Sequence, residues 1–350
     1  MSSSFTMPPE WHPHSATWLA WPFNHETWPN NLFEAQFEFL NLMEAILNDE
    51  PVHLIVPESQ LNEFEERAKP RFNASTKDLS VHPIETNDAW IRDYGPTFVI
   101  DPKKIAAVDW VYNAWGGKYP PYDCDQKVTD QIIEILARVD TTINITKIES
   151  KLCIEGGAIE INENKILMST LSCALDPNRN KTWNLESVDA ELRQHLGAQN
   201  VVWLDGGGVT GDDTDGHIDQ LARFAPQNRI LVAQTNNSND PQYRPLQENW
   251  LKLQQFIELD DSEWQLIALP LPNPIRFKGI QIPASYCNFY ITNQSVIVPQ
   301  FGDIESDRFA LEILQDQFPN RNIVGLPSNQ LTVGLGSFHC LTQQQPASLT

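Results

Sequence analysis

The sequence predicts an α/β fold, a closed propeller of five blades related by pseudo-five-fold repeats. Three observations lead to this prediction: a strand–turn–strand pattern recurs along the chain, a helical segment and a β-branched strand accompany each recurrence, and the two chain ends each carry half of a hairpin. By length alone, 350 residues with 41% hydrophobic content could form two or three domains. The repeats instead assign residues 1–350 to one propeller domain.

Hairpins are predicted wherever two apolar runs flank a turn rich in Pro, Asn, Asp or Lys. Four complete hairpins span 95–109, 157–168, 216–233 and 287–298. A fifth is split, because the C-terminal strand 336–343 has no partner before the chain ends and the N-terminal strand 14–22 is equally alone. Pairing these two ends would close the ring and leave only short sheet edges exposed.

Between the hairpins, apolar residues recur near i, i+3, i+4 and i+7, which predicts helices. Five such segments are 32–47, 126–139, 185–196, 246–257 and 307–318. A short β-branched strand follows each of them, at 52–56, 143–148, 201–204, 264–269 and 322–326. Each repeat is therefore a hairpin, a helix and a third strand.

Composition excludes several classes of partner. The 46 acidic residues outnumber the 24 basic ones, for a net charge of −22, and binding to nucleic acid or anionic membranes depends on basic patches. The N-terminus has no basic and apolar signal segment, and no apolar run approaches about 18 residues. Five cysteines without a C-x-x-C pair argue against disulfides and structural zinc. We expect a soluble, cytoplasmic protein and leave open whether it forms a homo-oligomer.

Polar clusters open all five hairpins, and ring closure would bring these openings together at the central axis. The clusters lie at 90–95, 155–157, 211–219, 285–288 and 334–340. Asp93 and Glu155 are 62 residues apart, and Glu155 and His217 are again 62 apart. Equal spacing in equivalent repeats predicts that these side chains occupy equivalent positions.

Cys340 is the best candidate for a nucleophile because it follows a glycine-rich segment that lets a substrate approach the backbone. The alternative for any single cysteine is a small buried hydrophobic residue, which is the role expected of Cys124, Cys153, Cys173 and Cys287. His339 precedes Cys340, but neighbours on a strand point to opposite faces. The base is therefore expected to be His217, which would share a strand face with Asp219.

Asp93, Glu155 and Asp219 are expected to face one cavity, where clustered negative charge requires a cation. A planar guanidinium satisfies such a cluster with paired hydrogen bonds, and a divalent metal is the competing occupant. A nearby thiol favours covalent chemistry on a carbon centre, so we expect no metal and no cofactor. The Gly/Asp segment 206–219 fits neither a phosphate loop, which needs a lysine, nor the spacing of an EF-hand.

These residues belong to motifs by which the chain resembles the agmatine deiminase family, in the peptidylarginine deiminase-like branch of the pentein (guanidine-modifying) superfamily. The motifs cover nearly the whole chain, at 7–22, 87–98, 113–117, 155–157, 214–219, 285–290 and 339–346. The resemblance implies the pentein propeller fold and a hydrolase that acts on a C–N bond of a linear amidine. The implied reaction converts agmatine and water to N-carbamoylputrescine and ammonia, within putrescine and polyamine biosynthesis.

The resemblance also implies roles for individual residues. Cys340 corresponds to the nucleophile, His217 to the general acid/base, and Asp93 and Asp219 to the carboxylates that bind the guanidinium. Glu155 corresponds to a further acid of the site. Trp90 corresponds to an aromatic that packs against the substrate.

The sequence departs from the family at two places. Leu335 stands in Gly-Leu-Gly-Ser-Phe where the family carries Gly-Gly-Gly-Asn-Ile or similar, and the segment 118–122 is shorter than its counterpart. Alternative functions are deimination of peptidyl-arginine or free arginine, and transfer of the amidino group to an amine. For the carboxylate of free arginine the candidate cations are Arg92, Arg223 and Arg244. A non-catalytic propeller, like the ribosome anti-association factor of similar fold, is the remaining alternative.

Overall fold

The structure is a computed structural model that describes residues 5–68, 71–72, 78–102, 104–139, 145–260 and 263–348. Across these ranges, none of the helices has the length and apolar character needed to span a bilayer.

Five sheets share one plan, a mixed α/β arrangement in which an antiparallel pair of strands is joined by a parallel third strand. Sheet 1 contains, in spatial order, Thr342–Pro346, His14–Ala20, Val52–Val56 and Leu79–Pro83. Sheet 2 contains Thr97–Asp101, Lys104–Val111 and Ile145–Cys153, and sheet 3 contains Glu160–Ile161, Ile166–Thr170 and Asn200–Leu204. Sheet 4 contains Ala222–Ala225, Arg229–Gln234 and Gln265–Pro270, and sheet 5 contains Tyr290–Ile291, Ser295–Gln300 and Asn322–Pro327.

The predicted pairing of the two chain ends is confirmed. The strands His14–Ala20 and Thr342–Pro346 run antiparallel, with Trp18 opposite Gln343. Trp18 also donates from Nε1 to the side-chain oxygen of Gln345 at 2.9 Å. The split hairpin is therefore completed by the other end of the chain.

A long helix links the second and third strands of each repeat, as predicted. The helices are Leu32–Leu47, Val128–Val139, Leu185–Leu196, Tyr243–Leu259 and Ile304–Gln317. The helix Leu185–Leu196 shows why its limits could be read from sequence, because Asn184 caps its first turn and Gly197 ends it in the left-handed conformation. The helices Tyr243–Leu259 and Ile304–Gln317 begin three residues before the predicted segments 246–257 and 307–318, since their first turns are largely polar.

Sheet 1 has an additional helix and strand that the sequence analysis missed. The helix Leu61–Ala68 is only eight residues long, and the edge strand Leu79–Pro83 is a five-residue segment that lies mostly exposed, with no fully buried side chain. The short hairpin Arg276–Phe277 and Ile280–Gln281 was also missed. Of the predicted strand 143–148, residues 143–144 lie outside the described residues, and the strand begins at Ile145.

A single helical turn precedes the antiparallel pair of each of sheets 2 to 5. These turns are Ile91–Tyr94, Gly156–Ala158, Ile218–Leu221 and Tyr286–Asn288. In sheet 1 a turn at 338–341 precedes Thr342–Pro346 in the same way. The polar clusters found in the sequence lie on these five turns, so equivalent local structure carries them into the interior.

The turns correct one prediction, that His217 and Asp219 lie two apart on a strand. His217 immediately precedes the helical turn Ile218–Leu221, and Asp219 lies inside it. Local side-chain bonds hold this conformation: Gly216 N–H donates to Asp212 at 2.7 Å and His217 N–H to Thr214 Oγ1 at 3.0 Å. Such bonds to the backbone compete with strand pairing.

Candidate active site

The helical turns bring the predicted site residues together in the interior. All six are buried, with exposed fractions of 4% or less for Cys340, His217, Asp93, Asp219, Glu155 and Trp90. They come from four different repeats, so the site depends on the packing of the sheets against one another.

Gly157 lies at the point where three of these side chains converge. Its N–H donates to Asp93 Oδ1 at 2.9 Å. A Cβ atom at this position would lie 2.6 Å from His217 Nδ1, 2.8 Å from Asp93 Oδ1 and 3.1 Å from Asp219 Oδ2. Only glycine leaves room for the two carboxylates and the imidazole to approach each other here.

His217 is held between Glu155 and Asp93. Its Nε2 lies 3.3 Å from Glu155 Oε2, and its Nδ1 lies 3.7 Å from Asp93 Oδ1. Burial alone lowers the pKa of a histidine, but Asp93, Cys173 and Glu155 outweigh it and raise the pKa of His217 well above its usual value. The raised pKa therefore favours the protonated imidazole, which can act as an acid.

Glu155 is paired with Arg179, a residue that the sequence analysis missed. Arg179 Nε lies 2.8 and 3.1 Å from the two oxygens of Glu155, and both side chains are fully buried. Burial by itself raises the pKa of Glu155, but the charges of Arg179 and His217 hold that pKa at about 2. Glu155 therefore stays ionised despite its burial.

Arg179 also connects Glu155 to the segment that carries His217. Its other guanidinium nitrogens donate to Thr214 O at 2.9 Å and to Asp215 Oδ2 at 2.6 Å. The residue lies on the short helix Pro177–Asn180, which Asp176 caps. An Asp-Pro helix start was the available sequence signal, but it does not reveal that the arginine points inward.

Cys173 was expected to be an inert buried cysteine, and it is buried, but its Sγ donates to Glu155 Oε2 at 3.4 Å. One ligand atom from each of Glu155, Cys173 and His217 lies within 4.8 Å of the others, which is close enough to hold a metal ion. Arg179 contacts both oxygens of Glu155, however, so a cationic partner already occupies this carboxylate. The cluster thus functions as an ion-paired network in this structure.

Cys340 lies on the other side of Gly157, against Asp219. Its Sγ donates to Asp219 Oδ2 at 3.4 Å and accepts a hydrogen bond from Asn288 Nδ2 at 3.1 Å. Burial raises the pKa of the Cys340 thiol well above its usual value, and the charges of Asp219 and Asp93 raise it further. Without a cation in the site, the sulfur is held as a thiol.

His339 also faces this site, which corrects the prediction that it points away from the face that carries Cys340. Residues 338–341 form a turn instead of a strand, so His339 Nδ1 lies 2.8 Å from the same Asp219 oxygen that Cys340 contacts. His339 Nε2 lies 2.8 Å from Glu10 Oε2. The His339 ring therefore bridges the carboxylates of Asp219 and Glu10.

Glu10 connects His339 to two buried arginines. Its Oε2 lies 3.0 Å from Arg223 and 3.5 Å from Arg92. Burial alone raises the pKa of Glu10, but the charges of Arg223, His339 and Arg92 lower it well below its usual value. His339 in turn helps hold the pKa of Asp219 below its usual value, against the effect of burial.

Arg92 and Arg223 were candidates to bind the carboxylate of free arginine. Both are buried, and besides Glu10 they bond to Gln344 and Glu160, respectively. Arg244, the third candidate, has an exposed side chain that pairs with Glu248 one turn along its helix. The two buried arginines are engaged by protein carboxylates and carbonyls instead.

Asp93 differs from the other two carboxylates in its charged partners: within the described residues Glu155 pairs with Arg179 at 2.8 Å and Asp219 with His339 at 2.8 Å, whereas Asp93 has His217 at 3.7 Å. Trp115 Nε1 donates to its Oδ2 at 3.0 Å. Burial raises the pKa of Asp93 to about 6, with His217 lowering it and Asp219 and Glu155 raising it. Ala114 and Trp115 both adopt positive φ angles, of 53° and 55°, a strained conformation that places the indole on Asp93.

Trp90 packs beside the glycine-rich segment that leads to Cys340. Its ring lies 5.3 Å from that of Trp28, and a Cβ atom at Gly336 would lie 2.5 Å from Trp90 Cζ3. Leu335, which lies between Gly334 and Gly336, has a φ of 74° and is partly exposed. Trp90 therefore requires the glycine at 336, whereas Leu335 accepts an unfavourable backbone conformation.

The short segment after Gly117 packs against the acidic loop before His217. Lys118 Nζ lies 2.8 Å from Asp215 Oδ2 and also bonds to the carbonyl of Asp213. The Tyr119 hydroxyl donates to the Asp213 carboxylate. Asp215 thus bonds to both Lys118 and the buried Arg179, which links this surface segment to the site.

The arrangement combines a thiol, a protonated imidazole and three carboxylates around one glycine. Asp219 Oδ1 and His217 Nδ1 have no hydrogen-bond partner within the described part of the chain. Asp219 Oδ1 and the Asp93 carboxylate are suited to accept from a flat cation that carries several N–H donors. A carbon at the centre of that cation would be within the reach of a sulfur nucleophile.

Comparison with known proteins gives consistent matches over the whole chain. The model of the Porphyromonas-type peptidyl-arginine deiminase family matches residues 6–346. The agmatine deiminase of Ectopseudomonas mendocina (strain ymp) is 34% identical over 371 residues, covering 99% of this chain and 96% of that protein. The agmatine deiminase of Medicago truncatula is 31% identical, covering 98% of this chain and 96% of that protein.

Solved structures agree. An agmatine deiminase of Enterococcus faecalis superimposes with a TM-score of 0.88 at 30% identity, covering 99% of this chain and 97% of that chain. A substrate-bound agmatine deiminase of C. jejuni gives a TM-score of 0.87 at 28% identity with the same coverage. The mixed α/β fold is thus the fold of these enzymes.

Proposed function

Since the chain belongs to the Porphyromonas-type peptidyl-arginine deiminase family and is related over its whole length to agmatine deiminases of the pentein superfamily, we propose that it is a hydrolase that deiminates agmatine. The products are N-carbamoylputrescine and ammonia. One observation carries the proposal: a cysteine, a histidine and three carboxylates converge around Gly157 in a chain related throughout to enzymes of this activity.

Substrate binding begins with the guanidinium between Asp93 and Asp219. Each carboxylate accepts N–H bonds from one edge of the planar cation, and Asp219 Oδ1 is an atom with no bond to the described residues. The flat cation stacks against Trp90. Its positive charge offsets the field of the carboxylates, which lowers the pKa of the Cys340 thiol and releases its proton to solvent.

In the first chemical step, the Cys340 thiolate attacks the guanidinium carbon. A C–S bond forms, and the π electrons of the C=N bond move to nitrogen. His217 then donates its proton to the departing nitrogen, the C–N bond breaks and ammonia leaves. The product of this step is a covalent S-alkylthiouronium on Cys340 together with a neutral His217.

In the second step, His217 accepts a proton from a water molecule that attacks the same carbon. The C–O bond forms, the C–S bond breaks with its electrons returning to sulfur, and loss of a proton from oxygen gives the ureido product. Glu155 supports both steps by holding His217 Nε2, which stabilises the protonated ring between turnovers. His217 is protonated again and the cycle can repeat.

We also propose that residues 1–350 form one domain, a closed five-bladed propeller. The pairing of the chain ends and the meeting of side chains from four repeats around Gly157 support this arrangement. A single cooperative transition in scanning calorimetry is the expected result, and two separable transitions would oppose it. A cytoplasmic location is proposed because all five cysteines are free.

The test of the activity is an assay with three guanidinium compounds. Purified protein is incubated with agmatine, free arginine or a blocked arginyl peptide, and ammonia and ureido product are measured. Release from agmatine at a rate well above the other two is expected. Release from none of them would refute the deiminase function, and preference for an arginine compound would reassign the substrate.

A matched variant identifies the nucleophile. Cys340→Ala should abolish turnover while agmatine still binds, because the carboxylates remain. Cys124→Ala is the control, since Cys124 is a partly exposed cysteine that is not among the site residues. Ureido product from the Cys340→Ala protein would show that another group carries out the attack.

A further inference from the structure

We propose that Asn288 is a catalytic residue, which donates a hydrogen bond from its side-chain amide to the sulfur of Cys340 and stabilises the thiolate. This proposal deepens the proposed function and depends on it for the identity of the nucleophile. Asn288 belongs to the polar cluster 285–288 that was identified in the sequence. Neither the motifs nor the mechanism above assigns a role to this residue.

The geometry places the amide directly on the reacting atom. Asn288 Nδ2 lies 3.1 Å from Cys340 Sγ, and both residues are buried. Among the described residues it is the one side-chain N–H that donates to this sulfur. The remaining side-chain bond of the sulfur goes to Asp219 Oδ2, in which the thiol is the donor.

The orientation of the amide is fixed by backbone donors. Asn288 Oδ1 accepts from the N–H of His339 at 3.1 Å and from the N–H of Cys340 at 3.4 Å. A backbone N–H can only donate, so the atom that it faces must be the amide oxygen and the NH₂ group must face the sulfur. The Asn288 backbone is held too, because its N–H donates to Ser285 O at 3.2 Å.

The electrostatic setting gives this side-chain donor its importance, and a backbone hydrogen bond from Ser337 acts on the sulfur in the same direction. Asp219 and Asp93 both disfavour negative charge on Cys340. A substrate cation offsets them only while it is bound and unreacted, whereas the sulfur must accept negative charge again when it leaves the intermediate. A rigid N–H stabilises the thiolate at both stages without reorganising.

The repeats also show why an amide is suited to this position. Asn288 ends the helical turn Tyr286–Asn288, which precedes sheet 5 and is the counterpart of the turns that carry Asp93 and Asp219. Those two turns supply carboxylates that attract the substrate. A carboxylate at 288 would instead repel the sulfur, so this repeat supplies a neutral donor.

The experiment separates two functions of the Asn288 side chain: donation of an N–H to the Cys340 sulfur, and acceptance of two backbone N–H bonds that hold the turn. Asn288→Asp keeps an oxygen for the two backbone N–H groups but removes the N–H that faces the sulfur and adds negative charge. Asn288→Ala removes both functions. Two readouts are measured: the second-order rate of iodoacetamide alkylation at pH 8, located on Cys340 by peptide mass spectrometry, and kcat with agmatine.

Both variants should alkylate Cys340 about 10- to 100-fold more slowly than the unaltered protein and lose kcat by a similar factor. Asn288→Asp should be the slower of the two because of its charge. The control is Asn162→Asp, at another buried asparagine whose Oδ1 accepts two backbone N–H bonds, from Asn164 and Ile166. It lies in the turn of a hairpin, so both rates should remain unchanged.

Normal alkylation and turnover in Asn288→Asp, with a defect in Asn288→Ala alone, would overturn the proposal, because Asn288 would then only brace the turn. Alkylation is measured without substrate, so the two proposals can fail separately. If the Asn288 variants alkylate slowly but the unaltered protein does not turn over agmatine, the proposed function is refuted and the role of Asn288 is not. Thermal melts accompany each variant. If Asn288→Ala does not fold, Asn288→Asp still decides.

Discussion

The two sides of the site neutralise their carboxylates in different ways. On the His217 side, Glu155 is in direct contact with one buried guanidinium, that of Arg179. On the Cys340 side, Asp219 is paired with His339, whose other nitrogen leads to Glu10 and on to Arg223. The first arrangement is a single ion pair. The second, Asp219–His339–Glu10–Arg223, is called the relay below.

Asp93 lies between these two sides and shows what the difference means. Glu155 pairs with Arg179 and Asp219 with His339, and both carboxylates keep lowered pKa values despite their burial. Within the described part of the chain the charged partner of Asp93 is His217, at 3.7 Å, and the pKa of Asp93 is raised to about 6. The protein thus supplies a close charged partner for Glu155 and Asp219, whereas Asp93 depends on the guanidinium of the substrate for its own, and Asp219 still offers Oδ1 to that guanidinium.

Removing Arg179 should have the largest effect, because Glu155 would keep only His217 as a charged partner. Breaking a buried ion pair by removing one member typically costs about 3–5 kcal/mol. We expect Arg179→Gln to lower kcat/KM by about 10²- to 10³-fold and to reduce thermal stability. Arg179→Lys, which keeps the charge without the planar fork, should be intermediate in both measurements.

The pH dependence of stability checks the same pair. Because the pKa of Glu155 is about 2 when folded and 4.5 is its reference value, the pair contributes stability that is present above pH 4.5 and is lost as the pH falls towards 2, by about 3 kcal/mol in all. That contribution should be much smaller in Arg179→Gln, where only His217 still acts to lower the pKa of Glu155. Equal acid sensitivity in the two proteins would show that Arg179 does not set the charge of Glu155.

Breaking the relay should have a smaller effect. His339→Asn can still offer one N–H to Asp219 but no longer reaches Glu10, which retains Arg92 and Arg223. We expect kcat/KM to fall by about 10- to 100-fold with little change in thermal stability. A loss as large as that in Arg179→Gln would mean that the relay is no more tolerant than the direct pair.

Asp93 should control how substrate binding depends on pH. Since the pKa of Asp93 is about 6, it loses its charge as the pH falls below that value, while Glu155 and Asp219 remain ionised. The KM for agmatine should therefore rise by up to about tenfold per pH unit below pH 6. A KM that stays constant from pH 7.5 to pH 5 would assign recognition of the guanidinium to the other two carboxylates.

The sequence was sufficient for those features that repeat. Helices, hairpins and the pairing of the chain ends follow from apolar periodicity, and the equal spacing of Asp93, Glu155 and His217 identified the turns that meet at the centre. Arg179 could not be found in this way. It lies outside the repeated turns and acts through a contact across 24 residues that no local pattern records.

The relay was missed for a different reason. His339 was considered and set aside on the rule that adjacent residues on a strand face opposite ways, which does not hold for the turn at 338–341. Glu10 lies 329 residues away from it in the chain. Contacts of that separation become visible only when the two chain ends are paired.

Leu335 provides the smallest predicted effect and shows how the Cys340 side tolerates change. Its φ of 74° costs a residue other than glycine about 1–2 kcal/mol, but glycine itself loses about 0.5–1 kcal/mol of chain entropy on folding. Leu335→Gly should therefore change the free energy of unfolding by less than about 1 kcal/mol.

Gly336→Ala is the contrasting variant, because its Cβ would meet the Trp90 ring at 2.5 Å. Denaturant unfolding and kcat/KM for agmatine should be nearly unchanged in Leu335→Gly and clearly impaired in Gly336→Ala. Equal impairment in both would mean that Leu335 itself shapes the substrate pocket, in addition to the glycine that makes room for Trp90.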